Sequence, residues 1–313
     1  MNIVVIGCGN IGTKRIQVIQ KDNNSRILAL IEKDSQRSIF LKNNYSYPLF
    51  NDYSSFLNDP NVNAFIVSAP PYESYKIITD CLNAGKHVLC EKPLGKSLSQ
   101  TQSITEIANK NNLILKCGFN LRHDTGLITA HQWLDKGLIG KPYFFKCTYV
   151  NGTVLVNSNR VGSLLDMGIH IIDLARWFMG DLNEVKSLLN RFEYSQEELD
   201  DNGFVIFKSN SGIGTMHFSF IRWMNSFSLE ITGEKGIIEV QNLPKWGKQY
   251  VINYKREYPS GVPQKESFTY EGDNSWHNEW VEFCRCVKLN DKKWNNDGLQ
   301  AMQIADRIKN CNQ

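Results

Sequence analysis

The apolar positions of the first 119 residues fall into short unbroken runs separated by longer mixed segments. Ile3-Val4-Val5-Ile6 is apolar throughout and stops at a glycine. RILALIE (Arg26–Glu32), NAFIVS (Asn63–Ser68), HVLC (His87–Cys90) and LILKC (Leu113–Cys117) have the same character. A strand wetted on one side alternates apolar and polar residues, whereas a strand covered on both faces does not. The runs therefore predict a parallel sheet buried on both faces. Residues 10–21, 74–84 and 97–111 are long enough to form the crossover helices that parallel strands require.

The pattern changes near residue 120. A helix is predicted over Asp124–Lys136, with Gly137 to end it, followed by a strand over Pro142–Val150. A strongly apolar helix is predicted from Leu164 to Phe178. Strand-like runs then follow one another at 185–194, 203–208, 214–220, 226–232 and 236–240, punctuated by Gly212, Gly233 and Gly236. Consecutive strands with few helices between them predict a mostly antiparallel sheet. Residues 276–288 and 299–309 read as helices. The expected architecture is α/β in 1–119 and an α+β domain with an open, mostly antiparallel sheet in 120–313, with packing of the C-terminal helices back on the first domain left open.

Length agrees with this division, because 313 residues suit two domains of ordinary size. Apolar residues make up 42% and charged residues 21%, which excludes a disordered or fibrous chain. Lys plus Arg number 35 against 32 Asp plus Glu, a net charge of +3. So small an excess predicts neither a nucleic-acid nor an anionic-membrane partner. No run approaches the roughly 18 apolar residues of a membrane helix. The eight cysteines lack paired C-x-x-C spacing, and MNIVVIG enters an apolar strand without a basic leader. Reduced thiols in the cytoplasm, and no metal site, are expected.

Chemistry enters with Gly7-Cys8-Gly9-Asn10-Ile11-Gly12, which follows the first strand and opens a helix. Gly7 permits a tight turn, Gly9 presents no Cβ to a pyrophosphate, and Gly12 lets the helix pack close. The helix amino terminus offers unpaired N–H groups and partial positive charge to phosphates. Glu32 ends the second strand, 32 − 12 = 20 residues after the last glycine, where such a fold places the carboxylate that takes the ribose hydroxyls. A ligand-free glycine turn is the alternative, and it does not account for strand, helix and acid all in place. A carboxylate at position 32 repels a 2′-phosphate, so NAD is expected; Lys33 and Arg37 are nearby cations that leave NADP open.

Two further signals point to a reacting group. Lys92, in Cys90-Glu91-Lys92-Pro93, follows the HVLC strand, and ligands of such sheets bind beyond the carboxyl ends of the strands. The following proline restricts Lys92 to extended backbone. On the apolar helix, Asp166, His170 and Asp173 fall on one stripe at about 100° per residue. A polar stripe on an apolar helix must find partners or a ligand. Bland readings stand beside this one: Ser163 with Asp166 fits a capping box, His170 could be a satisfied core histidine, and Asp173 an internal anchor. Histidine nevertheless has the pKa range that proton transfer next to a nucleotide requires.

GCGNIG, KHVLCEKPLGKSL (86–98), CGFNLRH (117–123) and GSLLDMGIHIIDLARWFMG (162–180) together resemble the Gfo/Idh/MocA oxidoreductase family over nearly the whole chain. The resemblance implies a Rossmann domain, a second domain whose sheet face commonly pairs subunits, and a homodimer or homotetramer. It implies that Lys92, Asp166 and His170 surround a substrate, and that Ala69, Pro70 and Glu91 lie on the cofactor side. Asn120, Arg122 and His123 are implied near the hinge as substrate or cofactor contacts. Ser74 stands where the family often has histidine. The segment 151–161 is short, which would widen a pocket toward nucleotide-linked sugars. The expected reaction is hydride transfer between a nicotinamide and a secondary hydroxyl or ketone of a sugar, cyclitol or nucleotide-linked sugar. The alternatives are an NAD-dependent glycoside hydrolase with transient oxidation and a non-catalytic cofactor-binding regulator.

Overall fold

A computed structural model of the chain describes residues 1–152, 161–193, 199–258 and 261–311. In chain order the first elements are β1 (Asn2–Ile6), α1 (Asn10–Ile19), β2 (Arg26–Ile31), α2 (Ser35–Asn44), β3 (Leu49–Phe50), α3 (Ser54–Leu57), β4 (Ala64–Val67), α4 (Pro71–Asn83), β5 (His87–Cys90), α5 (Leu98–Lys110) and β6 (Leu115–Cys117). Every strand pair among them is parallel, and the order across the sheet is β3-β2-β1-β4-β5-β6. This is the order of a doubly wound dinucleotide-binding sheet, with its crevice where the direction of winding reverses between β1 and β4. Ile3, Val4, Val5, Phe65, Ile66, Val88 and Leu89 are essentially inaccessible, as strands covered on both faces demand. The helices start where local chemistry provides caps. Asp34 accepts the Arg37 N–H, Ser97 accepts the Gln100 N–H, and α4 opens on Pro71, whose missing N–H costs nothing in a first turn.

The later elements are α6 (Thr125–Asp135), β7 (Pro142–Val150), α7 (Ile169–Met179), β8 (Leu182–Asn190), β9 (Asn202–Ser209), β10 (Ile213–Ser219), β11 (Ser226–Gly233), β12 (Gly236–Gln241), β13 (Gln249–Lys255), β14 (Gln264–Tyr270), α8 (Ser275–Leu289) and α9 (Asp297–Asn310). Eight strands form one sheet in the order β14-β13-β12-β11-β7-β10-β9-β8, antiparallel except where β7 meets β10. α6 packs on β12 and β13, and α7 on β7. Gly168 permits the close approach here, since a Cβ at that position would press on the Phe218 ring at 3.0 Å.

The chain divides into two compact units, Met1–Phe119 with Trp276–Met302, and Asn120–Ser275 with Gln303–Gln313. The division falls at residue 120, and most of the C-terminal helical stretch, Trp276–Met302, groups with the first unit, the alternative left open for those helices. Trp280, Phe283 and Cys286 of α8 sit in one apolar core with Ile3, Val5, Ile16 and Leu30, and the Trp280 indole N–H donates to Asp22 Oδ2 at 2.9 Å. Two large aromatic side chains and a small thiol on one helix face outweigh their distance along the chain.

Asp124 caps α6, accepting the Leu127 N–H and the Gln249 amide, both at 2.9 Å, while almost wholly buried. Burial raises its pKa to about 6, against the opposing pull of those two donors. Folding thus retains a proton that the unfolded chain releases, so stability falls as pH rises from about 4 to about 6 and stays lower above. Asp124→Asn keeps the acceptor and the cap without the charge. It should raise stability at pH 7.5 by about 1–3 kcal/mol and flatten that fall, as read from denaturant melts at pH 4 and pH 7.5.

Candidate active site

In the first unit, the turns that follow β1, β2, β4 and β5 all lie at the carboxyl edge of the parallel sheet. Gly7 has φ +79°, and its N–H donates to Ile31 O at 2.9 Å. A Cβ on Gly7 would collide with Ser68 O and Ala69 N, and one on Gly12 would overlap Gly7 O. Gly9 differs: nothing lies within 4 Å of where its Cβ would point. α1 starts there with no side-chain cap and no acid in its first turn, so among the described residues no side chain caps its first N–H groups. Ser68 Oγ, just beyond β4, is buried and has no hydrogen-bond partner among the described residues. An open glycine face, an uncapped helix terminus and an orphaned hydroxyl at one edge fit a dinucleotide.

Glu32 is tied to this loop from both oxygens. Oε2 accepts the Cys8 N–H at 2.9 Å and Oε1 the Asp34 N–H at 3.0 Å. Arg37 reaches back over the loop, donating to Cys8 O at 2.6 Å, to Gly9 O at 3.3 Å and to Thr13 Oγ1. Lys33 pairs at the surface with Glu73, 2.9 Å away. Both cations that could have met a 2′-phosphate therefore have other partners. Burial, with Glu32 adding to it, pushes the Cys8 thiol up to about 12, so it stays a neutral packing group. Lys92 is half-buried beyond β5, and its peptide bond to Pro93 is cis. Glu91 Oε1 takes the Arg15 guanidinium, and Oε2 lies beside Gly118. Ser74 is buried in α4, its hydroxyl donating to Pro71 O at 3.1 Å.

In the second unit, α7 is preceded by a wide π-helical turn, Leu164–Gly168, rather than by one continuous α-helix from Leu164. Asp166 lies in that turn and His170 in the first turn of α7. Turns of this kind recur at functional sites. The capping-box expectation fails: Ser163 does not cap the helix. Asp200, 36 residues further along, accepts both the Leu164 N–H at 2.7 Å and the Ser163 hydroxyl at 2.5 Å. Gly162 makes room for it, since a Cβ there would collide with the Asp200 carboxylate. Burial holds the Asp200 carboxyl above the usual range, against those two donors. Helix capping is thereby assigned to Asp200.

His170 is only 6% exposed, among Ile169, Ile171 and Ile172, which are fully buried. Its ring meets Tyr149 edge-on, with centroids 6.0 Å apart, and Lys245 Nζ donates to Tyr149 Oη at 2.8 Å. Asp173 is an anchor: it receives Arg122 Nε and Nη2 at 2.7 and 2.8 Å. Arg122, offered by the resemblance as a substrate contact, is thus committed to an internal ion pair. The Asn120 amide donates to Ser275 Oγ at 2.9 Å, and His123 is buried. Asp200, Tyr149 and Lys245 carry no sequence signal of their own, because the first sits in an acidic run and the others in a strand and a loop. Residues 153–160, within the short segment singled out above, lie outside the described residues. Among the described residues, no cluster of His, Cys, Asp and Glu could hold a metal ion, and no helix is long and apolar enough to cross a membrane.

A six-stranded parallel sheet with this glycine loop defines a dinucleotide-binding protein. A family model described as the oxidoreductase family with an NAD-binding Rossmann fold matches residues 1–119, and the GFO/IDH/MocA C-terminal domain matches residues 127–239. The chain belongs to the Gfo/Idh/MocA family and is an NAD(P)-dependent dehydrogenase or reductase acting on CH–OH groups. It is 29% identical over 253 residues to myo-inositol 2-dehydrogenase of Thermotoga maritima, covering 78% of this chain and 76% of that one. Among solved structures, levoglucosan dehydrogenase in complex with NADH superposes with a TM-score of 0.89 at 18% identity, covering 100% of this chain and 96% of that one. A 3-ketoreductase from Actinomadura kijaniata in complex with TDP-benzene and NADP, in an open conformation, gives 0.84 at 21% identity, covering 99% and 96%.

Proposed function

We propose that this enzyme reversibly oxidises a secondary hydroxyl of a sugar, cyclitol or nucleotide-linked sugar, with NAD as the preferred partner. The observation that carries the reading is the Asp166–His170 pair on an apolar helix whose capping is supplied by Asp200. Nicotinamide, when bound, supplies the hydride acceptor or donor. Gly7, Gly9, Gly12 and the N–H groups of Asn10 and Ile11 hold the pyrophosphate, and Ala69 and Pro70 border it. Glu32 takes the ribose hydroxyls, with its carboxylate already oriented by Cys8 and Asp34. His170 takes the hydroxyl proton in oxidation and returns it in reduction. Lys92 donates a hydrogen bond to the reacting oxygen, and Asp166 adjusts the charge around the imidazole. Arg122 with Asp173 braces α7, and Asn120 and His123 contact substrate or cofactor. Relatives named for inositol and levoglucosan support the polyol class.

The 3-ketoreductase that binds TDP-benzene, a nucleoside-diphosphate derivative, keeps nucleotide-linked sugars in the class. The test is a panel of cyclitols, sugars and nucleotide sugars incubated with NAD or NADP and read by absorbance of the reduced cofactor. Net reduced cofactor from at least one of them, faster with NAD, is expected. Sugar cleavage without net reduction would favour a hydrolase, and tight NAD binding without turnover a regulator.

The outer face of the eight-stranded sheet leaves Leu188, Phe204, Ile206 and Ile213 between 42% and 69% exposed, with Leu188 directly across from Phe204. That apolar face supports pairing with a second copy. Light scattering is expected to give the mass of a dimer or tetramer, and a monomer at micromolar concentration would contradict it.

A further inference from the structure

The helix that opens on the glycine loop carries a charge where packing against a sheet calls for an apolar residue. Arg15 is 1% exposed. Its Nε and Nη2 donate to Glu91 Oε1 at 2.9 and 2.7 Å, and its Nη1 meets Glu279 Oε2 of α8 at 2.6 Å. Its guanidinium lies over the Trp276 ring, 4.5 Å from the centroid. Lys116 of β6, equally buried, stands 3.8 Å from Glu279 Oε1. All of these residues belong to the first unit. Two cations face two carboxylates, so the cluster is balanced. Gly118 leaves the room: a Cβ there would come within 3.0 Å of Arg15 Nη2 and 3.1 Å of Glu91 Oε2.

Burying four charges is a poor route to stability, because the desolvation cost offsets the attraction and apolar replacements commonly do as well. Such a cluster is better explained by what it holds in place. Glu91 immediately precedes Lys92. Its N–H donates to Val67 O at 2.9 Å, which fixes its backbone to β4, and its carboxylate is fixed by Arg15. Held at both ends, it leaves the next residue a fixed starting point. We propose that Arg15 is a positioning residue for Lys92: by anchoring Glu91, it sets the direction in which the Lys92 ammonium leaves the carboxyl edge of the sheet. Arg15 lies one turn beyond Gly12, so the helix that seats the pyrophosphate also aims the lysine. Glu279 balances charge and does not set direction. The role rests on the assignment of Lys92 under the proposed function.

Arginine suits this task because its rigid fork turns two N–H donors, Nε and Nη2, on Glu91 Oε1 together, which an ammonium does not hold in a fixed direction. The test compares Arg15→Lys, Glu91→Gln and Glu279→Gln by melting temperature, NAD affinity, kcat and the acylation rate of Lys92 read by mass spectrometry. Arg15→Lys and Glu91→Gln should lower kcat by about 10–100-fold, because misplacement of about an ångström costs that much. They should also change Lys92 acylation by about threefold or more while NAD affinity stays within about threefold. Glu279→Gln should lower the melting temperature as much, yet keep kcat and Lys92 acylation within about twofold. A fall in kcat that simply follows melting temperature in all three, or wild-type Lys92 acylation in the first two, would overturn the proposal. Acylation needs no turnover, so a wild-type enzyme inactive on every polyol would defeat the dehydrogenase reading while this measurement still decides the role of Arg15. If Arg15→Lys fails to fold, the isosteric Glu91→Gln carries the same comparison.

Discussion

Replacing His170 by alanine is expected to lower kcat by about 10²–10⁴-fold while leaving NAD affinity unchanged, the usual worth of a positioned acid–base group. His170 belongs to the second unit and the glycine loop to the first, so its loss should leave the residues proposed to hold the pyrophosphate unchanged. Truncation should also leave the fold intact. The imidazole is 6% exposed, and its ring meets Tyr149 edge-on. Stopped-flow turnover together with fluorescence titration of NAD measures both quantities. A variant with full activity would remove His170 from the chemistry.

The second large effect separates ligand binding from packing within one loop. Gly9→Val should weaken NAD binding by about 100-fold or more, because its side chain would occupy the face that a pyrophosphate approaches. The melting temperature should hardly move, since nothing lies within 4 Å of the new Cβ. Gly12→Ala should behave in the opposite sense. Its Cβ would overlap Gly7 O, and forcing a methyl into so close a contact costs about 1–3 kcal/mol or more. Calorimetric titration and thermal melts of both variants read the contrast. Equal loss of stability in both would mean that Gly9 is there for the turn and not for the ligand.

The glycine loop, Glu32 and the four inner strands were legible because their causes are local. Continuous apolar strands, a glycine where a Cβ cannot fit and an acid 20 residues on need no knowledge of distant contacts. Two-residue β3 is too short to leave a pattern. β14 lies at the sheet edge with most of its residues exposed, so Gln264–Tyr270 carries no apolar stripe. The site was legible by residue type and less so by role. Ser163 and Asp166 have capping-box spacing, yet Asp200 does the capping from another part of the chain, which no local pattern announces. Arg122 looks like a ligand arginine until Asp173 is seen to receive it in a fork. Arg15 reads as one more helix cation until Glu91 and Glu279 converge on it. The return of Trp276–Met302 to the first unit is likewise a packing outcome, driven by Trp280 and Phe283.

The central claim is that a hydride moves between a carbinol carbon and the nicotinamide. Perdeuterated inositol or glucose in ordinary water, oxidised to completion of one turnover, tests it most directly, with the isolated reduced cofactor weighed by mass spectrometry. One deuterium per reduced nicotinamide, on a single face of the ring, is the predicted result. Reduced cofactor free of deuterium, or product formed with the cofactor returned oxidised and the carbinol label lost to water, would contradict it.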